Sequence, residues 1–210
     1  MSGICKGKEI AVVLSSGGLD SSTLVGMVVD LYGAENVTTI SAYYGQKHVT
    51  ELSCADKIAR YYGVEHMEMD LSETFKYSNC SLLMDSTEEI KHESYAEQIA
   101  KNGEGMVSTY VPFRNGLLLS TVASIAMSLV EDKPDTTATI YLGAHADDAA
   151  GEAYADCSPQ FVEAMNTAIK IGTYNKVSVE APFVNMTKAD IVGLGLKYKV
   201  PYELTHSCYE

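Results

Sequence analysis

The stretch Ser16-Gly17-Gly18-Leu19-Asp20-Ser21-Ser22 lies between an apolar run, residues 10–14, and an apolar-rich segment, residues 23–31. The run has the length and composition of a short buried strand, and the segment after the stretch can form a helix. Two glycines allow close approach, and N–H groups at a helix N-terminus can donate, with the serine hydroxyls, to an anion. The stretch therefore predicts a strand–loop–helix unit that holds phosphate or pyrophosphate; the alternative is a plain Gly-Ser turn.

Length and composition limit the class of protein. The 210-residue chain is 46% hydrophobic, which suffices for a single domain with a full core. It has no run of eighteen apolar residues and no signal-like start, so we expect a soluble, cytoplasmic protein without a membrane span. Five widely spaced cysteines argue against a disulfide framework and fit a reducing compartment. The formal net charge of −13 disfavours a nucleic-acid partner and favours a small-molecule substrate.

Four further segments have the pattern of strands, namely residues 37–44, 65–71, 137–142 and 177–183. Helical patterns occupy residues 49–62, 116–130, 158–172 and the segment from 187 to before Pro201. The second of these helices is apolar or small on almost every side, so we expect it to be buried all round. Residues 72–108 break the alternation and predict an excursion with one helix and a loop. The chain is thus predicted to be one α/β domain over residues 1–210, a doubly wound parallel five-stranded sheet with helices on both faces.

Carboxylates collect after two of the predicted strands. A carboxylate such as Asp20, beside polyphosphate, binds a shared Mg²⁺, although an Asp at a helix N-terminus also stabilises the helix dipole. His145, Asp147 and Asp148 follow the strand at residues 137–142, with Glu152 and Asp156 further on. Strand ends of this kind carry catalytic groups or acceptors for the N–H edge of a purine-like ring. Each of these residues taken alone also fits a solvated polar loop.

Three cations stand at strand or helix ends, Lys47, Arg114 and Lys188. They could neutralise charge on leaving pyrophosphate, although surface placement is the commoner explanation for each one singly. Arg114 precedes a predicted buried helix and would need a partner there. Cys157 is better explained as a small buried thiol than as a nucleophile.

The pattern S-G-G-x-D-S at residues 16–21 resembles the PP-loop of ATP pyrophosphatases, which cleave ATP between its α- and β-phosphates and adenylate an oxygen of their substrate. No Lys follows the second glycine, and the spacing differs from G-x-G-x-x-G, so neither a Walker loop nor a dinucleotide fingerprint fits. The resemblance implies that ATP binds at Ser15, Ser16, Gly17, Gly18, Leu19, Asp20, Ser21, Ser22, Thr23 and Gln46.

Five segments, which occur in the order typical of one family, make the resemblance more specific. They are S-G-G-L-D-S at Ser16, Y-Y-G-Q-K-H at Tyr43, T-Y-V-P-F-R-N at Thr109, Y-A-D-C at Tyr154 and L-T-H-S-C-Y at Leu204. Together they resemble the 7-cyano-7-deazaguanine synthase family over nearly the whole chain. The resemblance implies a ligase in which the carboxylate of 7-carboxy-7-deazaguanine attacks the α-phosphate of ATP and ammonia converts the acyl adenylate to an amide. A second ATP then activates the amide oxygen, and loss of AMP leaves the nitrile, a precursor of queuosine and archaeosine.

The same resemblance implies roles for individual residues and a homodimer. Catalysis would fall to Asp20, with Mg²⁺, and to Lys188 and Arg114. The deazaguanine acid would be bound by Arg114, His145, Asp147, Asp148, Tyr154 and Asp156. The chain departs from many members at Phe113, where they have Gly, and at Ala155, where they have Pro.

The family also binds Zn²⁺ through four cysteines, and Cys208 matches the first of them. The family's Cys-x-x-Cys-x-x-Cys portion would follow Glu210, so we expect a longer natural chain with a C-terminal zinc-binding end. At the other end, Ser2 rather than Cys would be exposed after removal of Met1. No N-terminal glutaminase nucleophile is therefore predicted, and we expect ammonia from solution or from a partner.

Two alternatives to a nitrile synthase stay open at this point. A related adenylating enzyme could stop at the amide or pass the activated acid to another nucleophile. A nucleotide-binding module could keep the loop without turnover, although the intact Asp20, Ser21 and Lys188 count against it.

Overall fold

Five parallel strands form the central sheet. The computed structural model describes residues 8–47, 50–84, 86–87, 109–149 and 154–206. Its strands are β1 (Lys8–Leu14), β2 (Val37–Tyr43), β3 (Glu65–Asp70), β4 (Thr136–Tyr141) and β5 (Val177–Glu180). They pair in the order β3-β2-β1-β4-β5, and every pairing is parallel. The predicted doubly wound five-stranded parallel sheet is confirmed.

The helices of the described residues alternate with these strands. They are α1 (Leu19–Tyr32), α2 (Thr50–Tyr62), α3 (Ser72–Phe75), α4 (Arg114–Val130), α5 (Ala146–Ala149), α6 (Pro159–Gly172) and α7 (Lys188–Lys197). Short 3-10 turns lie at Ala34–Asn36, Ala155–Cys157 and Tyr202–Leu204. Within the described ranges, none of the helices combines the length and the apolar character needed to cross a membrane.

The helices cover both faces of the sheet, as predicted. Alternate residues of a strand point to opposite faces, and β1 shows the result. Val13 packs with Leu24 of α1, Ile58 of α2 and Ile191 of α7, and its neighbour Val12 belongs to a second cluster. That second cluster holds the buried residues of α4 and α6, including Leu119, Val122, Val162 and Ile169.

Helix α4 is buried on one face only. Leu119 and Val122 are fully buried, whereas Ser120, Ser124 and Ser128 are exposed. The expectation that this helix is buried on almost every side is therefore wrong. Small hydroxyl residues are tolerated on the exposed face because Ser120 donates to the carbonyl of the preceding turn, at 2.8 Å from Gly116 O.

Local signals set several element ends. Ser158 Oγ accepts a hydrogen bond from the N–H of Phe161 and caps α6, and Thr187 forms a capping box with Asp190 at the start of α7. Strand β5 ends at Glu180, not at residue 183, because its pairing with β4 ends there and Pro182 has no N–H to donate. Phe183 is nevertheless fully buried, in the turn that follows.

The strand order places a topological switch point between β1 and β4. The chain moves outward from β1 through β2 to β3 and then returns to the other side of β1 as β4. Ligands of doubly wound sheets bind outside the carboxyl ends of the strands at such a point. The predicted excursion at 72–108 starts with α3, and residues 88–108 lie outside the described residues.

Candidate active site

The loop between β1 and α1 is held in shape by its own hydroxyls. Ser16 N–H donates to Ser21 Oγ at 3.2 Å, and Ser21 Oγ donates to the carbonyl of Gly18 at 3.2 Å. Ser15 N–H continues the sheet by donating to Ile40 O at 2.9 Å. The hydroxyl of Ser15 is buried without a hydrogen-bond partner among the described residues. A ligand that enters the loop therefore finds a preformed turn and one unsatisfied hydroxyl.

Gly17 brings the loop into contact with α2. Its φ is +81°, a conformation that favours glycine, and an added Cβ would overlap Glu51 O and lie 2.7 Å from Ala55 N. The glycine is therefore required by helix packing as well as by the turn. The carbonyl of Gly17 also accepts a hydrogen bond from His206 N–H at 3.1 Å, which joins the last described segment to the loop.

Four charged side chains from three helices and one strand end meet beside the loop. Asp20 Oδ2 lies 3.2 Å from Lys188 Nζ and 3.6 Å from His145 Nε2. His145 Nε2 lies 3.3 Å from Asp148 Oδ2. We call Asp20, His145, Asp148 and Lys188 the charged cluster.

The cluster shifts the pKa values of its members. Burial alone would raise the pKa of Asp20, but the bond to His145 and the charge of Lys188 lower it below its usual value. Burial alone would lower the pKa of His145, but the bond to Asp20 and the charge of Asp148 raise it overall. Burial raises the pKa of Asp148 despite the opposing charge of His145. The cluster thus favours an ionised Asp20 beside a protonated His145.

One carboxylate oxygen of the cluster is left over. Asp20 Oδ1 is buried and has no hydrogen-bond partner among the described residues. A hard divalent cation prefers such an oxygen ligand, so Asp20 fits the Mg²⁺ expected beside a bound polyphosphate. Among the described residues, no group of three or more His, Cys, Asp or Glu side chains is placed to hold a metal ion. The remaining ligands of Mg²⁺ would be phosphate oxygens and water.

A cavity of about 200 Å³ opens between the loop and the start of α4. It is lined by eight of the residues that the sequence nominated: Ser15, Ser16, Gly18, Asp20, Ser21, Gln46, Arg114 and Asp148. Apolar walls come from Ile40, Leu118, Leu142 and Ala144. The cavity therefore has polar groups from the loop and from other elements, together with apolar walls.

Arg114 has the partner that its position required. Its Nη1 donates to Tyr44 OH at 3.2 Å, and its guanidinium carbon lies 5.5 Å from the centre of the Tyr44 ring. Gln46 closes the turn that carries this tyrosine, because its Oε1 accepts from Tyr44 N–H at 2.7 Å. Arg114 is thereby held at the cavity wall.

Three nominated acidic-loop residues do not line the cavity. Asp156 Oδ2 accepts from Asn115 N–H at 2.9 Å and so caps the start of α4. Tyr154 OH is 2.6 Å from Thr109 Oγ1. Asp147 Oδ2 accepts from Lys188 N–H at 2.9 Å and fixes the start of α7. Asp156 and Asp147 thus fix the backbone next to Arg114 and at Lys188, two of the three residues nominated for catalysis.

Other nominated residues have structural partners as well. Leu19 packs in the core, Ser22 is fully buried in α1, and Thr23 Oγ1 lies 2.8 Å from Tyr202 OH. Lys47 Nζ donates to Ser81 O at 2.8 Å, and the residue is not among those lining the cavity. Cys208 lies outside the described residues.

Sequence reasoning missed Tyr44 and Glu51, which also line the cavity. Tyr44 belongs to the segment Y-Y-G-Q-K-H, so its position after β2 was a usable signal. Glu51 stands on the first turn of a helix, where an acidic residue has an ordinary explanation in the helix dipole. Cys157, in contrast, is the buried thiol expected, and burial raises its pKa to about 12.

A family model described as "Queuosine biosynthesis protein QueC" matches residues 10–210. The chain belongs to this family. A 7-cyano-7-deazaguanine synthase of Archaeoglobus fulgidus is 40% identical over 201 residues, which cover 95% of this chain and 77% of the relative. One of Oceanobacillus iheyensis is 39% identical over 201 residues, 95% of this chain and 83% of the relative. The resemblance inferred from five segments is confirmed.

A solved structure of NMN synthetase from Francisella tularensis shares the fold. It superposes with a TM-score of 0.52 at 14% identity and covers 97% of this chain and 66% of that chain. At this identity the likeness concerns the fold alone, an α/β sheet.

Proposed function

We propose that this member of the QueC family converts 7-carboxy-7-deazaguanine and ammonia to 7-cyano-7-deazaguanine at the expense of ATP, as a ligase that forms carbon–nitrogen bonds. One observation carries the proposal: the S-G-G-x-D-S loop and Arg114 face a single cavity at the carboxyl ends of the strands. The relatives' names supply the substrate class.

The loop side of the cavity would bind ATP. Ser15, Ser16 and Ser21 present hydroxyls there, and α1 directs its N-terminus at the bound phosphates. Lys188 Nζ, now 3.2 Å from Asp20 Oδ2, would neutralise charge on the leaving pyrophosphate. Asp20 would hold Mg²⁺, which neutralises phosphate charge when bound.

Arg114, the apolar walls and Asp148 would bind the acid. Arg114 is a fixed cation at the cavity wall, suited to pair with a carboxylate and to orient its oxygen toward the α-phosphate. Leu118, Leu142 and Ala144 offer apolar surface on which a flat deazapurine ring can lie. Asp148 supplies an acceptor for a ring N–H.

The test is a product analysis with the full-length protein, ATP, Mg²⁺, ammonia and 7-carboxy-7-deazaguanine. We expect AMP and pyrophosphate to appear together with a product of the mass of the nitrile. A product that remains the amide, or a conjugate, would support an adenylating relative that hands on the activated acid. Absence of acid-dependent pyrophosphate release would refute both and leave a nucleotide-binding module.

Further parts of the proposal rest on the family. Cys208 would be one ligand of a structural Zn²⁺, the chain would form a homodimer, and the enzyme would be cytoplasmic, where thiols stay reduced. Metal analysis and sedimentation of the full-length protein test the first two.

A further inference from the structure

Glu51 lines the cavity from the side of α2, and its carboxyl group is close enough to Arg114 to feel the charge of the guanidinium. It is the second residue of that helix and is half-buried. Its own carbonyl packs on Gly17 so closely that a Cβ there would overlap it. The main chain of Glu51 is therefore fixed against the loop between β1 and α1, and the residue lines the same cavity as Ser16 and Arg114.

Burial raises the pKa of the Glu51 carboxyl to about 7, and the charge of Arg114 on α4 acts against this rise. The other titratable groups that line the cavity are Tyr44 after β2, Asp20 on α1, Asp148 on α5 and Cys157. A carboxyl group with such a pKa exchanges protons readily at neutral pH.

Asp20 and Asp148 already have charged partners, and the thiol of Cys157 is protonated. Asp20 Oδ2 contacts Lys188 and His145, and Asp148 Oδ2 contacts the same imidazole. The thiol of Cys157 has a pKa raised to about 12 by burial and stays protonated. Glu51 lies apart from the charged cluster, on a different helix.

We propose that Glu51 is the general base of the amide-forming step, an inference that rests on the function proposed above. In this step the nitrogen lone pair of ammonia attacks the acyl carbon of the adenylate. The carbon–nitrogen bond forms, the bond from carbon to the AMP oxygen breaks, and AMP leaves with that electron pair. The nitrogen loses one proton, which the Glu51 carboxylate accepts.

The same group explains how ammonia becomes reactive in the cavity. Ammonia is mostly ammonium ion at neutral pH, and the ion has no lone pair with which to attack. A carboxylate in a partly buried site attracts the cation, takes one proton from it and releases that proton to the solvent, so that the carboxylate is ionised again when the attacking nitrogen loses its second proton. Arg114 favours the carboxylate form of Glu51 and so keeps the base available.

The experiment separates adenylation from amide formation in the variant Glu51→Gln. Adenylation is measured as acid-dependent exchange between ATP and labelled pyrophosphate without ammonia. Attack is measured with ammonia, and with hydroxylamine, which is largely uncharged at neutral pH and is so weak a base that its adduct loses its proton to water without a general base. We expect exchange and hydroxamate formation within about threefold of wild type, and amide formation reduced about 100-fold or more. Glu163→Gln, an exposed change on α6, is the matched control.

Equal loss of pyrophosphate exchange and amide formation in Glu51→Gln would show a role in ATP binding or structure and would overturn the proposal. Unchanged amide formation in this variant would also overturn it. The wild type gives a second measurement if the variant does not fold. At constant free ammonia, its rate of amide formation must rise with pH through about 7, and a flat profile there overturns the proposal. A wild type without acid-dependent exchange refutes the proposed function instead.

Discussion

Lys188 Nζ lies 3.2 Å from Asp20 Oδ2, so the first turns of α7 and α1 meet at the mouth of the phosphate loop. Asp147 fixes Lys188 further, by accepting its backbone N–H. The ammonium group of Lys188 thus lies beside a carboxylate, at the position proposed above for the polyphosphate. Binding of ATP with Mg²⁺ would replace one set of charge partners by another.

Asp20→Asn should lower turnover at least about 100-fold, because the variant loses the carboxylate that pairs with Lys188 and is proposed to hold Mg²⁺. The fold should lose no more than about 1 kcal/mol, since the partner Lys188 is more than half exposed. Urea unfolding checks this against Leu24→Ala, a core change expected to cost about 2–5 kcal/mol. A loss for Asp20→Asn as large as for the core variant would assign Asp20 to the fold.

Gly195→Ala should destabilise the protein by about 1–3 kcal/mol, because the added methyl overlaps the hydroxyl of Tyr202 and approaches Thr23 Oγ1 at 2.9 Å. Gly193→Ala in the same helix meets nothing within 4 Å and should stabilise α7 by up to about 1 kcal/mol. Thermal unfolding of both variants is the measurement. Equal effects at the two glycines would contradict the packing described for Tyr202.

Phe113→Gly should be more stable than Phe113→Ala by about 1 kcal/mol. Phe113 has a φ of 53°, a left-handed conformation in which a Cβ is unfavourable, and both variants lose the ring contact with Phe161. At the exposed helical position Ser124 the order should reverse, with Ala above Gly. Denaturant unfolding of the four variants decides, and Ala above Gly at both positions would exclude strain at Phe113.

His66 should make stability depend on pH below neutrality. Burial lowers its pKa, although Glu68 and Asp56 act against the shift. A lowered folded pKa means that the unfolded chain binds more protons, so this contribution is present above about pH 6.5 and is lost as pH falls through the folded pKa. The free energy of unfolding of the wild type, relative to that of His66→Gln, should therefore fall as the pH is lowered from 7.5 to 5.5. A difference independent of pH would show that His66 is not buried as described.

The hydrophobic pattern predicted the strands and helices because both depend on local sequence. The helix caps at Ser158 and Thr187 are also local signals. The hydrophobic pattern failed for α4, since small serines on the exposed face look the same in sequence as small buried residues. The segments 16–21 and Arg114 pointed to one cavity because strand ends converge in a parallel sheet. Asp156, which caps a helix, and Glu51, which enters the cavity, could not be told apart by sequence, because the difference depends on tertiary contacts.

The hydrogen bond from His206 N–H to Gly17 O has a consequence for measurement. A hydrogen-bonded amide exchanges with solvent deuterium only when its hydrogen bond opens, so exchange at His206 reports separation of this segment from the Gly17 turn. Nucleotide that orders the turn would slow exchange at a residue far along the chain. The exchange rate of the His206 amide would thus report whether nucleotide occupies the loop, without a label in the cavity.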